Sequence, residues 1–245
     1  MNKMSRAIVK GRILILILAV LLLIPAAIGY IKTRTNYDVL TYLPKDIETM
    51  KGQDILANDF GTGAFSLVVV ENMKDKDIVK MVDQMETVDH VKKVVWYGSL
   101  MDITVPEELL PENLQEEISS GDAKLMAVIY DTTLSADETM NAVEELRGII
   151  GKNAFLSGMS AVVVDTKNLS NKEVPVYVGL AVLLCFVVLT LTMDSFLIPV
   201  FFLLSIGFAV VYNLGSNFIQ GEISYVTKAL AAVLQLAVTM DYSIF

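Results

Sequence analysis

The sequence predicts an α-helical membrane bundle of about four spans joined to one extracytoplasmic α+β domain of the split β-α-β, ferredoxin-like type. Three observations carry this prediction. Of 245 residues, 54% are hydrophobic, above the roughly 45–50% of an ordinary soluble domain. The apolar excess sits at the two ends of the chain. Between them, strand-like and helix-like patterns alternate in two cycles.

The first twelve residues hold Lys3, Arg6, Lys10 and Arg12. Residues 13–31 then form an unbroken apolar run, about the length that crosses a roughly 30 Å hydrocarbon core. Tyr30, Lys32 and Arg34 close it as an interfacial anchor. Basic residues ahead of this span place residues 1–12 in the cytoplasm and the following domain outside. A cleaved signal peptide is the competing reading, with Leu14 to Ile24 as its apolar region and Ala27 and Gly29 at a weak cleavage site. The run continues to Ile31, which favours a retained helix.

Residues 32–173 form one hydrophilic stretch with 14 Lys and Arg against 25 Asp and Glu. Its length suffices for a core of its own. Ala64 to Val70 reads as a strand. Ile78, Val79, Val82 and Met85 give Asp75 to Thr87 helical spacing. Val91 to Tyr97 reads as a second strand. The cycle repeats with a strand at Leu125 to Tyr130 and a helix at Ser135 to Ile150. Ser135 and Glu138 predict a capping box at that helix's start, and Gly151 follows its end. Ala154 to Leu156 is a last short strand. The acidic stretch Pro106 to Glu117 links the two cycles and is expected to hold a short helix.

Residues 174–193 are a second span, with Pro175 expected in its first turn, where proline is tolerated. Asp194 and Ser195 make a tight turn. Residues 196–214 are a third span with Pro199 in its first turn, and a polar loop follows. Residues 224–245 begin a fourth span that stays incomplete. With lipid starting near Ala229, the chain reaches only about 24 Å inward at 1.5 Å per residue. The expectation is an N-terminal piece of something longer.

Several functions are disfavoured by composition. A net charge of −9, with no basic stripe beyond the first dozen residues, argues against a nucleic-acid partner. One cysteine, Cys185, and one histidine, His90, are too few for an ordinary zinc site. No Gly-rich phosphate loop and no Ser/His/Asp set is visible, so neither an enzyme nor a cofactor is expected. His90 reads as a surface turn residue, Cys185 as a packed small side chain, and Asp194 and Glu222 as solvated helix-end and loop residues. Asp241 stands apart. It lies about 18 Å into the hydrocarbon by the same count, where a carboxylate costs on the order of 2.5–3.5 kcal/mol. Carboxylates so placed usually face a bundle interior and mark an ion or proton path. Tyr242 beside it can donate to a carboxylate or relay through water. The bland reading makes Asp241 an interfacial charge at a helix end.

In order and spacing, four features resemble the resistance–nodulation–division transporters, most closely their MMPL-type branch. The layout of one span, a large outer domain and further spans is the first. The second is Leu43-Pro44-Lys45-Asp46 followed by Asp59-Phe60-Gly61, near the start of the outer domain. Ser157-Gly158-Met159 with Asp165, on the approach to the second span, is the third. The fourth is Met240-Asp241-Tyr242-Ser243 in the fourth span. The chain departs from the pattern at Ala237, where a glycine is frequent, and at Asp194, where an arginine is. The resemblance implies a proton-driven exporter of lipids or other amphiphiles in a prokaryotic plasma membrane. In it the β-α-β units form the porter domain, and Asp241 with Tyr242 is half of a proton relay. The other half would lie in a second, homologous part absent here. Expected partners are the bilayer, an amphiphilic substrate and that second part, and self-association into a homo-oligomer stays open. A membrane-anchored sensor or assembly factor, or a subunit that assembles with other chains, are the competing functions.

Overall fold

Two interlocked β-α-β units make up the core of the α/β part of the chain. The computed structural model describes residues 9–59, 63–100, 119–193 and 195–244, without the side chains of Ala57, Leu100 and residues 239–244. These residues divide into a unit of long helices, Met1–Asn36 with Leu169–Phe245, and an α/β unit, Tyr37–Asn168. The predicted linker helix, Asp194 and Phe60-Gly61 lie outside the described residues.

The α/β unit opens with a 3-10 turn at Leu40–Tyr42. Asp38, almost fully buried, starts that turn by accepting from the Leu40 amide at 2.8 Å and the Thr41 hydroxyl at 3.2 Å. Helix α2, Glu48–Asn58, follows. It was not expected, because Gly52 weakens its intrinsic propensity. Next come β2 (Ala64–Glu71), α3 (Asp75–Glu86) and β3 (Val91–Val95). The second cycle has a hairpin of β4 (Ser119–Ser120) and β5 (Ala123–Tyr130), then α5 (Asp137–Ile150) and β6 (Ala154–Ser157). The sheet order is β3-β5-β2-β6 with every pairing antiparallel. Each helix therefore links two parallel strands with a strand of the other cycle between them.

Alternation along β2 turns Ala64, Ser66, Val68 and Val70 inward, and β5 adds Met126, Val128 and Tyr130. The apolar stripes of α3 (Ile78, Met81, Val82, Met85) and α5 (Met140, Val143, Leu146, Ile150) are buried with them. The Ser66 hydroxyl sits in this core because Tyr130 donates to it at 3.1 Å.

Two local expectations are corrected. The strand predicted to Tyr97 ends at Val95, and Tyr97 opens a four-residue helical turn, α4 (Tyr97–Leu100). There the Trp96 amide donates to Ser99 Oγ, while that hydroxyl donates back to the Trp96 carbonyl. Such a local bond competes with the sheet ladder. Helix α5 also starts one residue later than its predicted capping box requires. Ala136 occupies the cap position, and its side chain makes no cap bond. Gly151 ends it at φ +69°, as its position after the last turn suggested.

In the helical unit, α1 (Arg12–Lys32), α6 (Met159–Thr192) and α7 (Leu197–Ser216) are long and apolar enough to cross a membrane. Pro175 is not in a first turn. It lies inside α6, which begins fifteen residues upstream of the expected span, in the last part of the α/β unit. Strand β1 (Arg34–Asn36) leaves α1 and pairs in parallel with β7 (Glu222–Ser224), and α8 (Tyr225–Ile244) follows directly. Helices α1 and α7 approach through Gly29 and Gly215. A Cβ on either would collide with backbone of the other helix, at the Gly215 carbonyl and at Ala26. Small residues serve membrane helix contacts in this way.

Candidate functional site

Two regions carry chemistry that the rest of the chain does not explain. One is the end of α8. Its start is anchored, since the Lys228 ammonium donates to the Thr35 hydroxyl at 3.2 Å and stands 5.1 Å from the Tyr30 ring centre. Further along, Asn213 Nδ2 of α7 donates to Gln235 Oε1 of α8 at 3.3 Å. Leu236 is buried. Position 241 is in the helix, but the side chains of Asp241 and Tyr242 lie outside those described. Helical periodicity puts position 241 on the face that carries Leu230, Leu234 and Val238. All three are exposed. Up to Val238 that side of α8 is exposed, and the contact of Gln235 with α7 lies on another side of the helix.

The second region is a half-open cavity of about 500 Å³ within the α/β unit. Helix α2 forms one wall through Gly52, Gln53, Ile55 and Leu56, and the start of β2 adds Phe65. Leu134 and Met159 bring in two more segments. The lining is almost wholly apolar. Thr49 and Gln53 are its polar side chains, and Gln53 Oε1 is buried with no hydrogen-bond partner among the described residues. The surrounding backbone is pinned. Ser160 Oγ donates to the Phe65 carbonyl at 3.0 Å. The Thr132 and Thr139 hydroxyls are 2.5 Å apart, and Thr139 Oγ1 donates to the Thr133 carbonyl. Sequence reasoning missed this region because its walls come from five separated segments.

The motif residues ahead of the second span have structural work. Gly158 adopts φ +99° where β6 turns into α6, and a Cβ there would press on the Leu67 amide at 3.2 Å. Asp165 pairs with Arg147 of α5 at 2.7 Å. His90 sits in a turn at φ +68°, its Nδ1 3.0 Å from Asp131 Oδ1, with both side chains well exposed. Glu222 accepts from Asn36 at 3.4 Å, and Cys185 is half-buried in α6. Burial pushes the Tyr130 phenol up to about 12, so it stays a neutral donor at physiological pH.

Apolar spanning helices, with an antiparallel α/β layer inserted between the first and the next, define a multi-pass membrane protein. The profile of the MMPL family matches residues 41–245. The chain belongs to that family, within the resistance–nodulation–division superfamily. It is 24% identical to the membrane protein YdfJ of Bacillus subtilis, in an alignment covering all of this chain and 35% of YdfJ. The chain therefore spans about a third of the length of that relative.

Proposed function

We propose that this chain is the N-terminal part of a transporter that uses proton flow to move hydrophobic or amphiphilic compounds out across a prokaryotic plasma membrane. Family membership supports the transporter class. The feature that supports the mechanism is a carboxyl residue, Asp241, at a position of the apolar helix α8 in line with the exposed Leu230, Leu234 and Val238. A carboxylate exposed to lipid tails costs on the order of 2.5–3.5 kcal/mol, so that face calls for a covering helix with a polar partner. In this reading α8 is the fourth span and the partner lies in the rest of the transporter. Asp241 loads a proton from one side and releases it to the other, and Tyr242 donates to it or relays through water. The protonation change alters helix packing and is passed to the α/β unit. That unit lies outside the membrane, with residues 1–12 in the cytoplasm. Its strand order and antiparallel pairing support a ferredoxin-like porter fold.

The test uses the complete transporter in energised vesicles. Asp241→Asn keeps size and polarity but cannot cycle a proton, and a neutral amide is cheaper to bury than a charge. Coupled efflux should be lost while abundance stays near wild type. Tyr242→Phe should be milder, because water can replace the hydroxyl in part. Full efflux by the Asn variant at normal abundance would return Asp241 to an interfacial charge. A membrane-anchored sensor is the second reading, favoured by the cavity in the α/β unit, and it predicts no proton-coupled flux at all. Protease added to intact cells should cut the α/β unit; cutting only after lysis would invert the topology.

A further inference from the structure

We propose that Asn213 and Gln235 are positioning residues for the proton: their paired amides order a file of water that joins the outer ends of α7 and α8 to Asp241. The inference rests on the reading of Asp241 as a proton carrier and extends it to the route by which the proton arrives.

Three observations converge. Gln235 is the sole polar residue between Ala229 and Val238, so an amide stands where the rest of the helix is built for hydrocarbon. Asn213 Nδ2 of α7 donates to Gln235 Oε1 at 3.3 Å. Each amide has two N–H donors and an oxygen with two lone pairs, so the bond between them uses only part of that capacity.

Register is the second observation. Lys228, Gln235 and Tyr242 follow one another at intervals of seven residues, close to two full turns. The three positions therefore lie in one line along α8, with a rise of about 10 Å from each to the next. Lys228, Ala231, Ala232 and Gln235 are half-buried and Leu236 is buried, whereas Leu230, Val233, Leu234 and Val238 are exposed. From Lys228 to Gln235 the line thus runs down the less exposed side of α8, where Gln235 meets α7. Position 241 is next to its inner end.

The third observation is what surrounds the amides. Ser216 Oγ and Asn217 Nδ2 donate to the Asn213 carbonyl at 2.8 and 2.9 Å, so polar groups continue to where α7 ends. On α8 the turn before Gln235 carries Ala231 and Ala232, whose side chains end at Cβ and take up little space beside the amide. An amide bond that only joins two membrane helices needs neither this line nor this room. A held water needs two to four polar partners, and these groups supply them. The proton passes from water to water and ends on the Asp241 carboxylate; the amides bind it at no stage.

The complete transporter in right-side-out vesicles can be given a fast acid jump in the outer buffer and followed by time-resolved infrared spectroscopy. The carbonyl band of a protonated carboxyl that is missing in Asp241→Asn reports proton arrival, with no transport substrate needed. Asn213→Leu combined with Gln235→Leu makes both partners apolar, which costs little stability. Its melt should stay near wild type while the band appears at least tenfold more slowly. Gln235→Ala loses the same bond but leaves a space that water can fill, so it should load faster than Gln235→Leu. A merely structural bond predicts no such advantage for alanine, and this comparison decides the matter should the leucine pair fail to fold. Wild-type loading in the leucine pair, or no advantage of alanine over leucine, overturns the inference and leaves Asp241 as a carrier. A wild-type chain that never shows the Asp241 band overturns the carrier reading and this inference with it.

Discussion

Gly29 and Gly215 show how far a single missing Cβ reaches. Each lets backbone of α1 and α7 touch where any side chain would collide, and the Tyr212 hydroxyl donates to the Ala19 carbonyl across the same pair. Gly215→Leu should therefore separate the helices, with an overpacking cost of about 1–3 kcal/mol. A clear drop in the melting temperature of the detergent-solubilised chain is the expected readout, and an unchanged melt would mean that the contact is dispensable. Tyr130 makes a different residue-scale prediction. Its phenol titrates near 12 folded and near 10 unfolded. The folded state thus holds a proton that the unfolded state releases first. Stability is fully present below about pH 10 and falls as pH rises toward 12, by about 2–3 kcal/mol from this group. Tyr130→Phe should flatten that alkaline limb in denaturant titrations, at the cost of the bond to Ser66. None of this was legible in the sequence, where Gly29 reads as a span residue and Tyr130 as the end of a strand. Asp241 stands out in the sequence because a charge in an apolar run is conspicuous without any contact being known.

Elements were legible in proportion to how local their causes are. β2, α3, β5, α5 and β6 follow from alternation and helical spacing of apolar residues, and they stand close to where those patterns put them. Helix α2 does not, because its apolar residues are few and Gly52 interrupts it. The early start of α6 was hidden too, since residues 159–173 mix polar and apolar side chains and read as loop beside the apolar run that follows. The start of α5 offers a direct opportunity. Ala136 already has the extended backbone of an N-cap, at φ −63° and ψ 141°. Ala136→Ser should add a side-chain acceptor at the cap position and stabilise the α/β unit by roughly 0.5–1 kcal/mol. An unchanged denaturation midpoint would show that the first-turn amides are already satisfied.

At the scale of the molecule, membrane association and an α/β middle follow from composition alone. The pairing of distant segments does not. The order β3-β5-β2-β6 and the walls of the cavity join residues that no window of sequence sets side by side. The α/β unit has its own buried core, running from Val68 and Ile78 to Val143 and Val164. A fragment of residues 37–168 is accordingly expected to fold alone, with mixed helix and strand circular dichroism and one cooperative melt. A coil spectrum without a transition would show that the core needs the helical unit.

The parallel ladder of β1 with β7 sets a timetable for synthesis. Beside its backbone pairs the Asn36 side chain donates to Glu222, 186 positions away. At about 5–20 residues per second, the ribosome needs roughly 10–40 s between the two. Throughout that interval the strand leaving the first helix has no mate, while everything between is made and sorted to its side of the membrane. The ladder is therefore a late lock, closing only when the nascent chain has reached its eighth helix. A ribosome-stalled intermediate ending before residue 222 should leave Arg34–Asn36 open to proteases or cysteine labelling. One stalled well beyond it should protect them.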